Sequence, residues 1–311
     1  MRDELPRLTN DESEPVGSSS CPPEPPPTGE RLTILLALTG SVVFGGSDFI
    51  GALASRRGSP LQVAATAQVT ALVFAVPTAL LASSDQVTAA DAAWSLASGV
   101  AVALGLGLFY SAMARGLISL VVPITAVVGA VAPVAWGLAS GERPEGATLT
   151  GIILAVVAIA VVSAMPRAGI PVAPSIVVAS IAAGLCFGAF LVLVSQASDD
   201  AGMWPILFSR MTSSSGLVVL ALAFARPPGG GLRATLPASI VVGLLESAGI
   251  IALLLALQRG PLSVSSVLLS LYPVVSVLLA MAVLRERLTR HQLIGVALAF
   301  CSVVLISVQS S

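Results

Sequence analysis

The chain has 311 residues, 56% of them hydrophobic and 10% charged, with a mean hydropathy of +0.97 and a formal charge of −1. Soluble domains carry about 25% charged residues, so this composition excludes an ordinary water-soluble core. The near-zero charge also excludes the broad basic face that nucleic acid demands.

Residue types narrow the chemistry further. All 15 basic residues are arginine and none is lysine. That removes the lysine of a G-x-x-x-x-G-K-[ST] phosphate loop and any Schiff-base lysine. The single histidine, His291, rules out an H-E-x-x-H zinc site. Cys21, Cys186 and Cys301 have none of the close spacings of a metal site or disulfide framework, and the latter two read as packing residues. No cofactor or metal is expected. Arginine-only basic residues with abundant Ala, Val, Gly and Pro fit a GC-rich, bacterial source.

Residues 1–30 are acidic and rich in Pro and Ser, as in "SSSCPPEPPPTGE", and predict a disordered polar tail. They contain no apolar stretch that a secretory signal needs. Beyond Arg31 come apolar runs of 18 to 23 residues at about 32–54, 61–82, 92–114, 118–138, 147–165, 175–196, 204–225, 237–257, 262–284 and 291–308. Each is long enough to cross a hydrocarbon core about 30 Å thick. Helices satisfy their own backbone groups in lipid, so the expectation is an all-α integral membrane protein of ten spans. Between the runs lie turn signals such as "RRGSP" at 56–60, "SGERPEG" at 140–146 and "RPPGGG" at 226–231.

The spans form two copies. An offset of 144 pairs Gly99 with Gly243, Gly105 with Gly249, Arg115-Gly116 with Arg259-Gly260, Ser119 with Ser263 and Glu142-Arg143 with Glu286-Arg287. Phe44-Gly45 matches Phe187-Gly188 at 143. Five spans are an odd number, so the two copies must enter the membrane in opposite senses, as in inverted-repeat transporters.

The chain resembles the EamA-like members of the drug/metabolite transporter superfamily. The resemblance rests on the tandem five-helix halves and on the turn "GERPEGATLTG" from Gly141 to Gly151, which returns as "RERLTRHQLIG" from Arg285 to Gly295. Pro273, thirteen residues before Glu286, and "FGGSDFIGALASRR" from Phe44 to Arg57 add to it. It implies a polar tail over 1–30 and repeats over 31–165 and 174–309. It also implies a substrate path lined by the first, third and fourth helices of each half, with help from the second and seventh, and peripheral fifth and tenth helices.

Ionisable groups inside a bilayer cost about 2.5–3.5 kcal/mol and usually face the bundle, which singles out Asp48, Arg210 and Glu246. Asp48 shares a helix face with Ser41, Gly45 and Ala52. It reads either as a substrate or proton site or as an acid that pairs with Arg56. Glu246 shares a face with Gly243 and Ser247, and Arg210 one with Ser213 and Ser214. The repeat places Arg210 opposite Gln68, and Arg210 is expected to pair with Glu246 or Asp48. Tyr110, on the face of Gly99 and Ala103, and Tyr272, before Pro273, offer hydroxyls to a solute or serve as packing residues. Pro133 and Pro273 are expected to kink their helices. The Arg-Gly and Glu-Arg pairs read as structural, with glycine as a left-handed helix cap. Small residues at Gly99, Ala103, Gly243 and Ser247 suggest faces that slide at close approach.

The expected activity is therefore secondary transport of a small solute, as exporter or permease, in a bacterial inner membrane. The candidate pathway comprises Asp48, Gln68, Tyr110, Arg210, Glu246 and Tyr272. Partners are the solute, the lipid bilayer and, optionally, a second copy. The alternatives are an intramembrane enzyme using Asp48 and Glu246 as acid and base, or a non-transporting scaffold. Arginine counting would place both termini outside, whereas the resemblance implies that both are cytoplasmic.

Overall fold

Hydrocarbon leaves no water for backbone groups, so each apolar run has to close its own hydrogen bonds. In the computed structural model the described parts of these runs are helices. The structure describes residues 28–81, 87–139, 173–225, 231–257, 271–286 and 290–309, with isolated positions between 150 and 161. The described helices are α1 (Thr28–Arg57), α2 (Pro60–Leu81), α3 (Ala89–Arg115), α4 (Ile118–Ala139), α5 (Pro174–Val194), α6 (Trp204–Phe224), α7 (Gly231–Leu257), α8 (Tyr272–Val283) and α9 (Arg290–Gln309). Among the described residues there is no strand. Seven of these helices, α1 to α7, are long and apolar enough to cross a membrane, and Tyr272–Val283 and Leu293–Leu305 are shorter apolar segments. The expected tail up to residue 27 lies outside the described residues, as do most of the span at 147–165 and the first part of that at 262–284.

Local chemistry sets the helix ends. Pro60, Pro174, Pro205 and Pro273 all stand in first turns, where a missing N–H costs nothing. Pro273 thus opens α8 instead of kinking a helix interior as expected, whereas Pro133 does lie inside α4. Thr88 and Asp91 form a reciprocal capping box at the start of α3. Gly116, which ends α3, is extended (φ −107°) and not the left-handed cap expected. Its small size matters for another reason: a Cβ there would lie 2.8 Å from Cγ2 of Ile176 in α5.

The bundle is apolar outside and sets polar groups within an apolar interior. Leu80, Val178, Val219, Leu222 and Phe224 are exposed, while Ser47, Gln68, Ser119, Ser213, Ser214 and Ser276 are buried. Those buried groups stitch helices together. Ser47 donates to the Val242 carbonyl (3.3 Å), Ser276 to that of Gly45 (2.9 Å), Thr125 to that of Ser180 (3.1 Å) and Ser214 to that of Gln68 (3.0 Å).

Packing interleaves the halves. Helix α1 packs on α7 as α5 packs on α3, α2 packs on α7 as α6 packs on α3, and α2 meets its own counterpart α6. Helix α9 packs mainly on α4. Individual contacts repeat under the same exchange. A Cβ on Gly99 would sit 2.7 Å from Cβ of Thr212 in α6, and one on Gly243 would sit 2.6 Å from Cβ of Thr70 in α2. A Cβ on Gly105 would lie 2.8 Å from the Phe187 ring and one on Gly249 2.7 Å from the Phe44 ring, in the same sense. Direction is exchanged as well. The end of α1 at Gly58 abuts Thr235 near the start of α7, and Ser198 beyond α5 bonds Asp91 at the start of α3.

These faces are in close contact, because a Cβ on Gly99 would also overlap the Ser209 carbonyl, which is backbone and cannot turn aside. Gly99→Ala is expected to destabilise the detergent-solubilised protein by about 1–3 kcal/mol, the cost of overpacking. Gly46→Ala, where nothing lies within 4 Å of the added methyl, is expected to leave thermal unfolding unchanged. Equal effects at the two glycines would contradict this packing.

Candidate functional site

The middle of the bundle is joined by one polar junction of α2, α6 and α7. Arg210 Nη1 donates to Gln68 Oε1 at 2.7 Å and to Glu246 Oε2 at 3.0 Å. Gln68 Nε2 donates to the same Glu246 oxygen at 3.1 Å, and Ser213 Oγ donates to Gln68 Oε1 at 3.3 Å. The side chains of Arg210 and Glu246 are 14% and 11% exposed. Charge-assisted bonds of this length are the strong kind, and the amide of Gln68 uses both of its ends. Of the two partners expected for Arg210, the structure brings together Arg210 and Glu246 and leaves Asp48 out.

Asp48 stands apart on α1, half-buried, nine residues before Arg57 and so about 13 Å of helix from that end. Among the described residues it makes no hydrogen bond or ion pair. It does lie within electrostatic reach of Glu246, Tyr110 and Tyr272. Tyr110 is fully buried, and its hydroxyl has no hydrogen-bond partner among the described residues. That hydroxyl presses on α1, 2.7 Å from where a Cβ of Gly51 would stand. The wheel stripe shared by Gly99, Ala103 and Tyr110 therefore meets α6 at one height and α1 at another, because the helices cross. Tyr272 packs against Phe44 at a tilt, ring centroids 6.3 Å apart and planes at 57°. The six candidate residues thus divide into a bonded trio, Gln68, Arg210 and Glu246, and a looser group around Asp48.

A second junction closes the end of the bundle where α1, α3 and α8 finish. Arg56 does not turn back to Asp48, because its guanidinium is taken up elsewhere. It donates to the carbonyls of Met113 (3.3 Å) and Gly116 (2.9 Å) and to Glu286 Oε1 (3.3 Å). Glu286 in turn accepts from the backbone of Ile118 (3.4 Å) and Ser119 (3.1 Å) and from Ser119 Oγ (2.6 Å). One carboxylate therefore caps the start of α4 and neutralises an arginine of α1, with help from the positive end of the helix dipole. Arg285 makes this reach possible by taking a left-handed backbone (φ 53°), at the position where the first half has Gly141. Glu142 and Ser263, the repeat counterparts of Glu286 and Ser119, lie outside the described residues.

Neither Glu286 as a bridge to Ser119 nor Asp91 was singled out in the sequence. Asp91 accepts from Ser198 N (2.8 Å) and Oγ (3.1 Å) while capping α3. Its signal was present as Thr88-x-x-Asp91, the spacing of a capping box.

Removing one member of a buried ion pair strands the other. Arg210→Ala is expected to cost about 3–5 kcal/mol, and Arg210→Met with Glu246→Leu together to cost less than the two single changes summed. Unfolding in mixed micelles checks this, and simple additivity would mean that the pair does not hold the bundle.

The family described as "EamA-like transporter family" matches residues 31–164 and again 174–308. No curated protein matches the chain. A solved structure, titled only "Crystal structure of protein", superposes with a TM-score of 0.56 over 88% of this chain and 95% of that one, at 14% identity, which is a likeness of fold. Two tandem matches covering nearly all of the helical sequence, on a bundle whose halves exchange contacts, place the chain in the EamA-like transporter family.

Proposed function

We propose that the chain is a secondary carrier of a small metabolite or drug-like solute, acting as exporter or permease in a bacterial inner membrane with both termini cytoplasmic. In this reading ten spans form two inverted five-helix repeats that exchange conformations around one central site. The observation that carries it is the contact exchange. Gly99 meets α6 as Gly243 meets α2, and α1 ends where α7 begins as α5 ends where α3 begins. Halves built alike but pointing oppositely can swap two unequal shapes, one open to each side.

The Arg56–Glu286–Ser119 junction suits the closed end of such a cycle, since it ties α1 and α4 of one half to α8 of the other. The repeat register supplies Glu142 and Ser263 as equivalent partners for the opposite end. Glu246 is committed to Arg210 and Gln68, which argues against its use with Asp48 as an enzymic acid–base couple.

The test uses a variant lacking Cys21, Cys186 and Cys301 and carrying Ser119→Cys with Glu286→Cys. Liposomes loaded with a labelled metabolite mixture are expected to release a narrow class of solute, read by mass spectrometry. Oxidation to the disulfide is expected to stop release, and a reductant to restore it. Release that persists through the crosslink, or single-channel currents, would overturn alternating access. No protein-dependent release from any mixture would overturn the carrier reading.

A further inference from the structure

Among the described residues, one charged side chain away from the span ends lacks an opposite charge. Arg210 is neutralised by Glu246 and Arg56 by Glu286. Asp48 has no counter-charge among the described residues, although it lies deep in α1 and within electrostatic reach of a second carboxylate, Glu246. A low-dielectric interior tolerates an ionised Asp48 only when something cancels its charge.

The walls around Asp48 indicate what does so. Phe44 lies one turn before Asp48 on the same face of α1. Its ring packs on Gly249, one turn from Glu246 in α7, and on Tyr272 of α8. The Tyr110 hydroxyl, without a hydrogen-bond partner among the described residues, faces α1 at Gly51, one turn beyond Asp48. A carboxylate, two aromatic rings and a spare hydroxyl acceptor complement an ammonium group attached to an apolar body. The carboxylate pairs with the cation, the ring faces attract it and the hydroxyl oxygen accepts one N–H. A bare metal cation would instead require a cage of several oxygens.

We propose that the central site takes an organic cation, its ammonium on Asp48 and Tyr110 and its apolar part on Phe44 and Tyr272. The proposal rests on the carrier reading for its role in transport but is tested by binding alone. Purified full-length protein in detergent is titrated calorimetrically with three probes of one shape and different charge: 2-phenylethylammonium, phenylalanine and 3-phenylpropionate. The cation is expected to bind at least ten times more tightly than the zwitterion, and the anion more weakly still. Asp48→Asn is expected to weaken the cation at least tenfold, and Phe44→Leu and Tyr110→Phe several-fold. Unfolding temperatures measured alongside keep loss of binding distinct from loss of fold. A purely structural Tyr110 would leave affinity unchanged in Tyr110→Phe. Preference for the anion, no cation binding at millimolar concentration, or full affinity in Asp48→Asn would overturn the proposal while leaving the carrier standing. Cation binding without release from liposomes would instead overturn the carrier and leave the site.

Discussion

A guanidinium inside a bilayer has to be answered by other side chains, and in this chain the answer comes from both halves. Arg210 belongs to the second half and Gln68, its repeat counterpart, to the first, yet the two are bonded at 2.7 Å. Two equivalent positions touch only where the halves meet along their line of exchange. The rest follows from that meeting: α2 lies against α6, and Gly99 and Gly243 bring α3 and α7 onto them without a side chain between. Desolvating Arg210 costs energy that Glu246 and Gln68 offset, and the geometry this demands fixes how the halves sit together.

The frame is alike in the two halves but the charges are not. Glu246 corresponds to Val102 at the offset of 144, and Asp48 to Leu191 at 143. Pairs that need only size and backbone, such as Gly105 with Phe187 and Gly249 with Phe44, kept their match. The groups that confer charge at the centre, Asp48, Arg210 and Glu246, occur once each, so a near-symmetric scaffold carries an asymmetric charge pattern. The Glu286 junction follows the same economy, with one carboxylate serving at once as helix cap, ion-pair partner and bridge between halves.

Helices were legible in the sequence because lipid imposes them on every apolar run of sufficient length, and the repeat because the same residues return at a fixed offset. The pairing of Arg210 with Gln68 was legible through the repeat register, and Arg210 with Glu246 through the cost of unpaired charge. Glu286 was not, because its partners Arg56 and Ser119 are 230 and 167 residues away, and no local pattern encodes such a meeting. Gly116 misled because Arg-Gly at a helix end suggests a left-handed cap, whereas here the glycine makes room for Ile176 of α5. Pro273 misled because an apolar run conceals a helix start that only backbone geometry reveals.

In the proposed cycle the halves trade shapes about a fixed α2–α6 seam. Pulsed electron-spin distances in nanodiscs test it most directly, with one label pair at Val69 and Met211 beside the seam. A second pair sits at Arg115 and Arg285 by the Glu286 junction, and a third at their repeat equivalents Arg259 and Gly141. On introducing Glu286→Gln, the account predicts a longer Arg115–Arg285 population, a shorter Arg259–Gly141 population and an unchanged Val69–Met211 distance. A seam distance that changes with the others, or both ends lengthening together, would contradict it.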